Sequence, residues 1–149
     1  MTTLVRKVSR SDVVPLLKLI QQHAAFEQTT AHVNENSLTL VLEAPTPSIH
    51  LFVAEERGEL KGYGALTFDY SLWITSRFVH LDCLFVSANA RGRGVGKLLL
   101  NHACLMAQEA GALRIEWQTP SWNADAIRFY EREGGVGKTK MRFTKNLSL

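Results

Sequence analysis

The hydrophobic period of the chain changes several times, and each change marks a boundary between predicted elements. Apolar residues recur at helical spacing over 13–24, whereas they alternate with polar residues over 49–55, 60–68 and 113–118. In order, the predicted elements are a strand at 4–8, helices at 13–24 and 34–42, strands at 49–55, 60–68 and 78–86, a helix at 97–110, a strand at 113–118, a helix at 126–133 and a strand at 140–147. Residues 69–73 are predicted as a loop. We therefore expect an antiparallel meander followed by a βαβ crossover.

Glycine dominates the turn between the strand at 78–86 and the helix that follows it. The turn is Arg91-Gly92-Arg93-Gly94-Val95-Gly96. Glycines leave backbone N–H groups uncovered and a helix N-terminus adds partial positive charge, so the turn predicts a phosphate-binding site. A P-loop is excluded because Gly96-Lys97 is followed by Leu98 rather than by a hydroxyl residue. The G-x-G-x-G spacing also differs from the G-x-G-x-x-G dinucleotide fingerprint.

Two motifs resemble those of a known family. The turn at 91–96 fits [QR]-x-x-G-x-[GA], and residues 122–130, Trp-Asn-Ala-Asp-Ala-Ile-Arg-Phe-Tyr, fit N-x-x-A-x-x-F-Y. Both are similar to signatures of the GCN5-related N-acetyltransferase (GNAT) superfamily, and the resemblance covers nearly the whole chain. It implies the GNAT fold, a mixed α/β sheet flanked by helices in the order β-α-α-β-β-β-α-β-α-β, and acetyl-coenzyme A as cofactor. Ala88 departs from the proline that many members have at this position.

One strand also resembles a branch of that superfamily. Residues 81–86, Leu-Asp-Cys-Leu-Phe-Val, are similar to the L-E-D-x-F-V segment of the diamine (spermidine/spermine) N-acetyltransferases. Asp82 replaces the glutamate and Cys83 replaces the aspartate, so one carboxylate is lost. This resemblance implies a diamine or polyamine as acceptor. It supports the branch less strongly than the motif at 91–96 supports the superfamily.

Composition and charge narrow the classes of function. The 149 residues suit a single domain over 1–149, and the net charge of +3, from 17 basic and 14 acidic residues, includes no polybasic run. We expect no nucleic-acid partner, no metal site and no membrane span. Cys83 and Cys104 are interpreted as buried thiols, and with no apolar signal segment at the N-terminus we expect a cytoplasmic protein. The family resemblance also implies that the protein forms a homodimer.

The chemistry of acetyl transfer assigns candidate roles. The amine must be neutral to attack, and the leaving thiolate must be protonated. By resemblance, Tyr130 is the candidate general acid. Asp82 is the candidate base or ammonium contact, because a carboxylate in the middle of a central strand is costly to bury unless it serves a ligand, a partner or water; Glu116 on the neighbouring strand is its competitor. Glu27, Tyr70 and Trp73 are candidate substrate contacts. A solvated-surface role is an equal alternative for Glu27 and Glu116, and a packing or dimer-interface role is an equal alternative for Tyr70 and Trp73. The candidate cofactor contacts are Leu84, Phe85, Val86, Arg91, Gly92, Arg93, Gly94, Val95, Gly96, Lys97, Asn123 and Tyr130.

Two other residues near these candidates are interpreted as structural. His23 lies beside the apolar stripe of the first helix. Cys83 is expected to point away from Asp82, because successive side chains of a strand face opposite sides of the sheet.

The sequence thus predicts direct acetyl transfer, in a ternary complex, from acetyl-coenzyme A to a primary amine of a small molecule. The acceptor is a diamine or polyamine, or alternatively an amino acid, an aminoglycoside or a protein N-terminus. A non-catalytic acyl-coenzyme A-binding or sensing module is the alternative from another class, and a nucleic-acid-binding domain is a third that only the net charge favours.

Overall fold

A computed structural model describes residues 2–148, which divide into two compact units. The first unit ends at Gln118 and the second begins at Thr119. None of the helices described is long and apolar enough to cross a membrane.

The first unit contains five strands and three helices. Their bounds are β1 Leu4–Lys7, α1 Val13–Phe26, α2 Glu35–Glu43, β2 His50–Glu56, β3 Glu59–Ser71, β4 Ser76–Val86, α3 Val95–Glu109 and β5 Ile115–Glu116. This order confirms the predicted mixed α/β fold. The predicted loop at 69–73 was wrong in part, because cross-strand pairs continue to Ser71↔Ser76 and leave only the turn between them. Strand β5 is also shorter than the predicted 113–118.

The five strands form one sheet in the order β1-β2-β3-β4-β5. The first four are antiparallel neighbours, and β5 pairs with β4 in parallel after the α3 crossover. One irregularity interrupts the β3–β4 ladder: Ala65 pairs with Cys83 but Leu66 pairs with Leu81. Asp82 is therefore the extra residue of a β-bulge.

Helices cover both faces of this sheet. Leu16 and Leu19 of α1 pack with Val53, Tyr63 and Phe85 on one face. The other face packs against α3, whose buried residues are Val95, Leu99, Leu100, Ala103 and Ala107. Two glycines of β3 allow close packing on this face of the sheet. A Cβ atom on Gly62 would lie 2.6 Å from the Phe85 carbonyl oxygen, and one on Gly64 would lie 2.2 Å from the Phe52 ring.

The second unit contains one helix, α4, at Ala124–Arg132. Asn123 caps it, because its side-chain oxygen accepts a hydrogen bond from the Ala126 N–H. The predicted closing strand at 140–147 was wrong, since these residues have no regular structure. Met141, Phe143 and Leu147 are exposed, and no described strand takes up the backbone hydrogen bonds of this segment. Alternation alone does not form a strand without a partner.

Candidate active site

The bulge in β4 brings two side chains together that the sequence pattern separates. Leu81 faces α3, as does its partner Leu66, but beyond Asp82 the strand is shifted by one residue, so Cys83 faces α1. The Cys83 thiol lies 3.7 Å from an Asp82 carboxylate oxygen and donates a weak hydrogen bond to it. The expectation that Cys83 points away from Asp82 was therefore wrong, because regular pleating stops at the bulge.

A row of polar side chains continues from Cys83 across the α1 face of the sheet. The Cys83 side chain shares this face with Tyr63, which lies on the neighbouring strand β3 and is almost fully buried. The Tyr63 hydroxyl is 2.6 Å from His23 Nδ1, and His23 Nε2 is 2.5 Å from a Glu27 carboxylate oxygen. Glu27 directly follows α1, so the row ends where this helix ends.

His23 is also held in place by an aromatic contact. Its ring stacks on Phe85 of β4 at a centroid distance of 5.0 Å and an interplanar angle of 20°. Sequence reasoning interpreted His23 as structural and did not single out Tyr63. A signal was present: Tyr63 is a large residue with a polar tip between two glycines of a buried strand, and a buried hydroxyl requires a partner.

Burial keeps the two groups at the centre of this row protonated. It raises the pKa of the Cys83 thiol to about 12, and the nearby Asp82 carboxylate contributes to the rise. Burial likewise raises the pKa of Tyr63 above its ordinary value, with further contributions from Cys83, Glu27 and Asp82. Cys83 is therefore a neutral thiol at physiological pH, which argues against a thiolate nucleophile.

The glycine turn has the conformation of an anion cradle. Gly92 and Gly94 have φ values of +75° and +84°, and a Cβ atom at either would meet nothing within 4 Å. Helix α3 begins at Val95, with Gly94 as N-cap and no capping side chain or acidic residue in its first turn. Its first N–H groups thus lack the usual side-chain cap, and the helix dipole favours an anion there.

The two arginines of this turn anchor it to the rest of the first unit. Arg91 donates a hydrogen bond to the Val86 carbonyl at 3.0 Å and lies over the rings of Phe26 and Phe85. Arg93 pairs with the buried Glu56 at 3.1 Å. The side chains of both arginines, which were predicted to contact the cofactor, thus already have partners within the first unit. Anion binding at the turn would therefore depend mainly on backbone N–H groups.

Strands β4 and β5 share only a short ladder. Val79 pairs with Ile115 and His80 pairs with Glu116, and no further pair follows. The remainder of β4, from Leu81 to Val86, has no partner in β5. This stretch includes the predicted cofactor contacts Leu84, Phe85 and Val86, and it leads into the glycine turn.

The other predicted site residues of the first unit lie apart from Asp82. Tyr70 and Trp73 are at the tip of the β3–β4 hairpin, where Trp73 is 96% exposed. Ser76 at this tip is six positions from Asp82 along β4, which corresponds to roughly 20 Å of strand. The Glu116 carboxylate accepts a hydrogen bond from Arg114 at 2.6 Å. The structure thus groups Glu27 with Asp82 and does not bring the two aromatic residues to them.

The second unit contains the other two predicted residues. Asn123 caps α4, and its amide also donates to the Thr119 hydroxyl at 3.4 Å. Tyr130 lies on α4, with its ring 5.3 Å from that of Phe129. Across residues 2–148, no group of three or more His, Cys, Asp or Glu side chains is arranged to hold a metal ion.

Fold and site together define a mixed-sheet protein with an open glycine turn between β4 and the uncapped N-terminus of α3. The sequence model of the Acetyltransferase (GNAT) family matches residues 17–135, and the chain belongs to this family. It is an N-acetyltransferase that acts on amines.

Several known proteins are similar to it. An aminoalkylphosphonate N-acetyltransferase of Salmonella typhimurium is 30% identical over 93% of this chain and 96% of its own length. A thialysine N-epsilon-acetyltransferase of Mus musculus is 28% identical over 93% of this chain and 87% of its own length. An aminoglycoside acetyltransferase from an uncultured soil metagenomic sample shares the fold, with a TM-score of 0.81 and 18% identity over 98% of this chain and 97% of that one.

Proposed function

We propose that the protein acetylates a primary amine of a small cationic molecule, with a diamine or polyamine as the first candidate. The observation that carries this proposal is the presence of two carboxylates, Glu27 and Asp82, beside one group of polar side chains. Glu27 contacts His23, whose ring contacts the Tyr63 hydroxyl, and Asp82 contacts the Cys83 thiol. Carboxylates attract ammonium groups, and two of them suit an acceptor with more than one positive charge. The similarity to enzymes named for thialysine and aminoalkylphosphonates supports a small amine acceptor.

Acetyl-coenzyme A fits the glycine turn as the acetyl donor. The open space at Gly92 and Gly94 leaves room for a pyrophosphate, which the N–H groups from Arg91 to Lys97 would hold. The backbone of Leu84, Phe85 and Val86, which β5 leaves without a strand partner, would hold the pantetheine arm. In the second unit, Asn123 is a separate candidate contact for the cofactor. When bound, acetyl-coenzyme A supplies the thioester from which the acetyl group is transferred.

Three groups of the chain would serve the direct transfer. Asp82 would bind the ammonium group and accept its proton, which frees the amine for attack. An N–H at Phe85 or Val86 would stabilise the charge that develops on the carbonyl oxygen. The Tyr130 hydroxyl would donate a proton to the leaving sulfur. We favour Asp82 over Glu116 as the base, since the Glu116 carboxylate is paired with Arg114.

Thiol release against a panel of acceptors tests this function. The panel contains polyamines, diamines, amino acids, aminoglycosides and an N-terminal peptide. We expect turnover of polyamines and diamines, a loss of about a hundredfold in kcat/KM for Asp82→Asn, and little change for Glu116→Gln as the matched control. Turnover restricted to another amine class would overturn the acceptor. Cofactor binding without thiol release from any amine would favour an acyl-coenzyme A sensor instead.

Tyr130→Phe tests the general acid separately. We expect a loss of about a hundredfold or more in kcat, with unchanged affinity for acetyl-coenzyme A by calorimetry, because only a proton donor is removed. Unchanged kcat would exclude the role.

A cytoplasmic location and a homodimer complete the proposal. Both cysteines are free thiols, as is usual in a reducing compartment. Light scattering of the purified protein tests the dimer, and a monomeric mass at micromolar concentration would exclude it.

A further inference from the structure

His23 is held from three sides near the end of α1. The Tyr63 hydroxyl is 2.6 Å from its Nδ1 atom, and the Phe85 ring stacks on the imidazole at a centroid distance of 5.0 Å. On the third side, Nε2 is 2.5 Å from Oε2 of Glu27. The His23 side chain is only 12% exposed and Tyr63 is buried, so the imidazole ring has little freedom to move. The Glu27 carboxylate is therefore attached to a fixed side chain.

This contact uses one oxygen of Glu27 and leaves its negative charge available. An ionised carboxylate only accepts hydrogen bonds, so Nε2 of His23 is the donor. Among residues 2–148, no Lys or Arg forms an ion pair with Glu27, and its Oε1 atom accepts no hydrogen bond. The Glu27 side chain is also 37% exposed. A carboxylate that is oriented through one oxygen and open at the other suits a cationic group of a ligand.

Glu27 lies beside the stretch of β4 where the proposed reaction takes place. His23, which holds Glu27, stacks on Phe85. Phe85 is three positions from Asp82 along β4, which corresponds to roughly 10 Å of strand. Cys83 and Phe85 both pack on the face that α1 covers, so Asp82 and Glu27 border the same stretch of this face. Two carboxylates in this arrangement suit an acceptor whose second ammonium group lies several bonds from the reacting amine.

We infer that Glu27 binds the distal ammonium group of a dicationic acceptor and that His23 is the positioning residue that holds Glu27 for this contact. The pair thereby selects diamines over monoamines, a step that rests on the proposed function. Without His23, the Glu27 side chain would rotate about its torsions and would have to be immobilised when the acceptor binds. Immobilising a side chain of this length weakens binding about two- to tenfold.

Two substitutions separate the two polar contacts of His23. The amide of glutamine reaches about as far as Nε2, so His23→Gln retains a donor for Glu27 and loses the partner of the Tyr63 hydroxyl. Asparagine reaches only about as far as Nδ1, so His23→Asn retains a partner for Tyr63 and loses Glu27. If His23 were merely structural, loss of the buried Tyr63 contact would be the more harmful of the two.

A matched pair of acceptors measures the selectivity. Diaminohexane and hexylamine share a carbon chain, and only the diamine has a distal ammonium group. We expect His23→Asn to lower the ratio of kcat/KM for diaminohexane to that for hexylamine about fivefold, through KM, and His23→Gln to stay within about twofold of wild type. An unchanged ratio for His23→Asn, or an equal fall for both variants, would overturn the positioning role. Melting curves verify that both variants are folded.

A double-mutant cycle tests whether His23 acts through Glu27. Glu27→Gln removes the negative charge and should itself lower the ratio at least about fivefold. In that background, His23→Asn should change the ratio by less than about twofold, because the group that it positions is already lost. A second fall as large as the first would overturn action through Glu27.

Calorimetry separates failure of this inference from failure of the proposed function. Diaminohexane and hexylamine are titrated into wild type and His23→Asn, each in the presence of coenzyme A, which has no acetyl group to transfer. We expect wild type to bind diaminohexane more tightly than hexylamine and the variant to lose most of this difference. Equal affinities of wild type for the two amines would overturn the inference. If wild type acetylates no amine, the proposed function fails, and these titrations still decide whether Glu27 and His23 select dications.

Discussion

Replacement of Gly62 by alanine links the packing of the sheet to the site. A Cβ atom there would lie 2.6 Å from the Phe85 carbonyl oxygen, 3.0 Å from a Leu99 methyl carbon and 3.4 Å from the Val86 Cα. A carbon and a carbonyl oxygen normally stay about 3.3 Å apart, so the β4 backbone must move by about 0.7 Å. This backbone belongs to the part of β4 that is proposed to contact the cofactor.

The free-energy change has two opposing parts. Overpacking of this kind costs about 1–3 kcal/mol. Alanine in a strand gains about 0.5–1 kcal/mol over glycine, because the unfolded chain is less flexible. We expect a net loss of about 1–2 kcal/mol in the free energy of unfolding for Gly62→Ala, which lowers Tm by about 2–8 °C for a chain of this length.

Thermal unfolding followed by circular dichroism measures this change, and calorimetry measures the affinity for acetyl-coenzyme A. Gly137→Ala is the matched control, since a Cβ atom at Gly137 meets nothing within 4 Å and no unusual φ is involved. We expect the control to match wild type in both assays and Gly62→Ala to be weaker in both. An unchanged or higher Tm for Gly62→Ala would refute the packing argument. A lower Tm with unchanged affinity would refute the contact between this backbone and the cofactor.

Two further predictions concern the glycine turn and a buried ion pair. Gly94→Glu should abolish binding of acetyl-coenzyme A, because it places a negative charge where the pyrophosphate is proposed to bind. Gly111 is the matched control position, since it has a similar φ of +73° and equally open surroundings; Gly111→Glu should lose similar stability but keep binding. Equal affinities of the two variants for acetyl-coenzyme A would contradict anion binding at the glycine turn. Hydrogen bonds from the Arg6 guanidinium lower the pKa of Asp12 from 3.8 to about 2. The ionised Asp12 carboxylate therefore stabilises the fold above about pH 4, and this stabilisation is lost as the pH falls through about 2. Asp12→Asn should therefore cost about 2 kcal/mol at pH 7, and its Tm difference from wild type should shrink in acid; a constant difference would contradict this origin.

Most helices and strands of the first unit could be predicted, because the spacing of their apolar residues and the residue types in the turns between them indicate the same boundaries. Helix α1 has a clear apolar stripe, and Arg57-Gly58 joins β2 and β3 with two residues of positive φ. The glycine turn was also predictable, since the residues that form it are contiguous in the chain. Local signals of this kind depend on neighbours in sequence, which a single chain displays directly.

The bulge at Asp82 could not be predicted from the strand that contains it. Val79 and Leu81 face α3, whereas Cys83 and Phe85 face α1, and all four have odd numbers and apolar or weakly polar side chains. The alternation in the sequence is thus uninterrupted, although the strand changes face. The register is set by the partner strand β3, and such a pairing is a tertiary property. For the same reason the row of polar side chains from Cys83 to Glu27 was missed, because it joins three separate elements.

The buried carboxylate of Glu56 has a consequence for the N-terminal end of the chain. One of its oxygens accepts from the Thr3 hydroxyl at 2.7 Å, and the other accepts from Arg93 in the glycine turn. These hydrogen bonds, with that of Thr3 as the largest cause, lower the pKa of Glu56. A single side chain thus ties residue 3 to residue 93. Affinity tags, leader fusions or trimming next to Thr3 would alter the stiffness of the turn at a distance, so assays of cofactor affinity should compare proteins with identical N-termini.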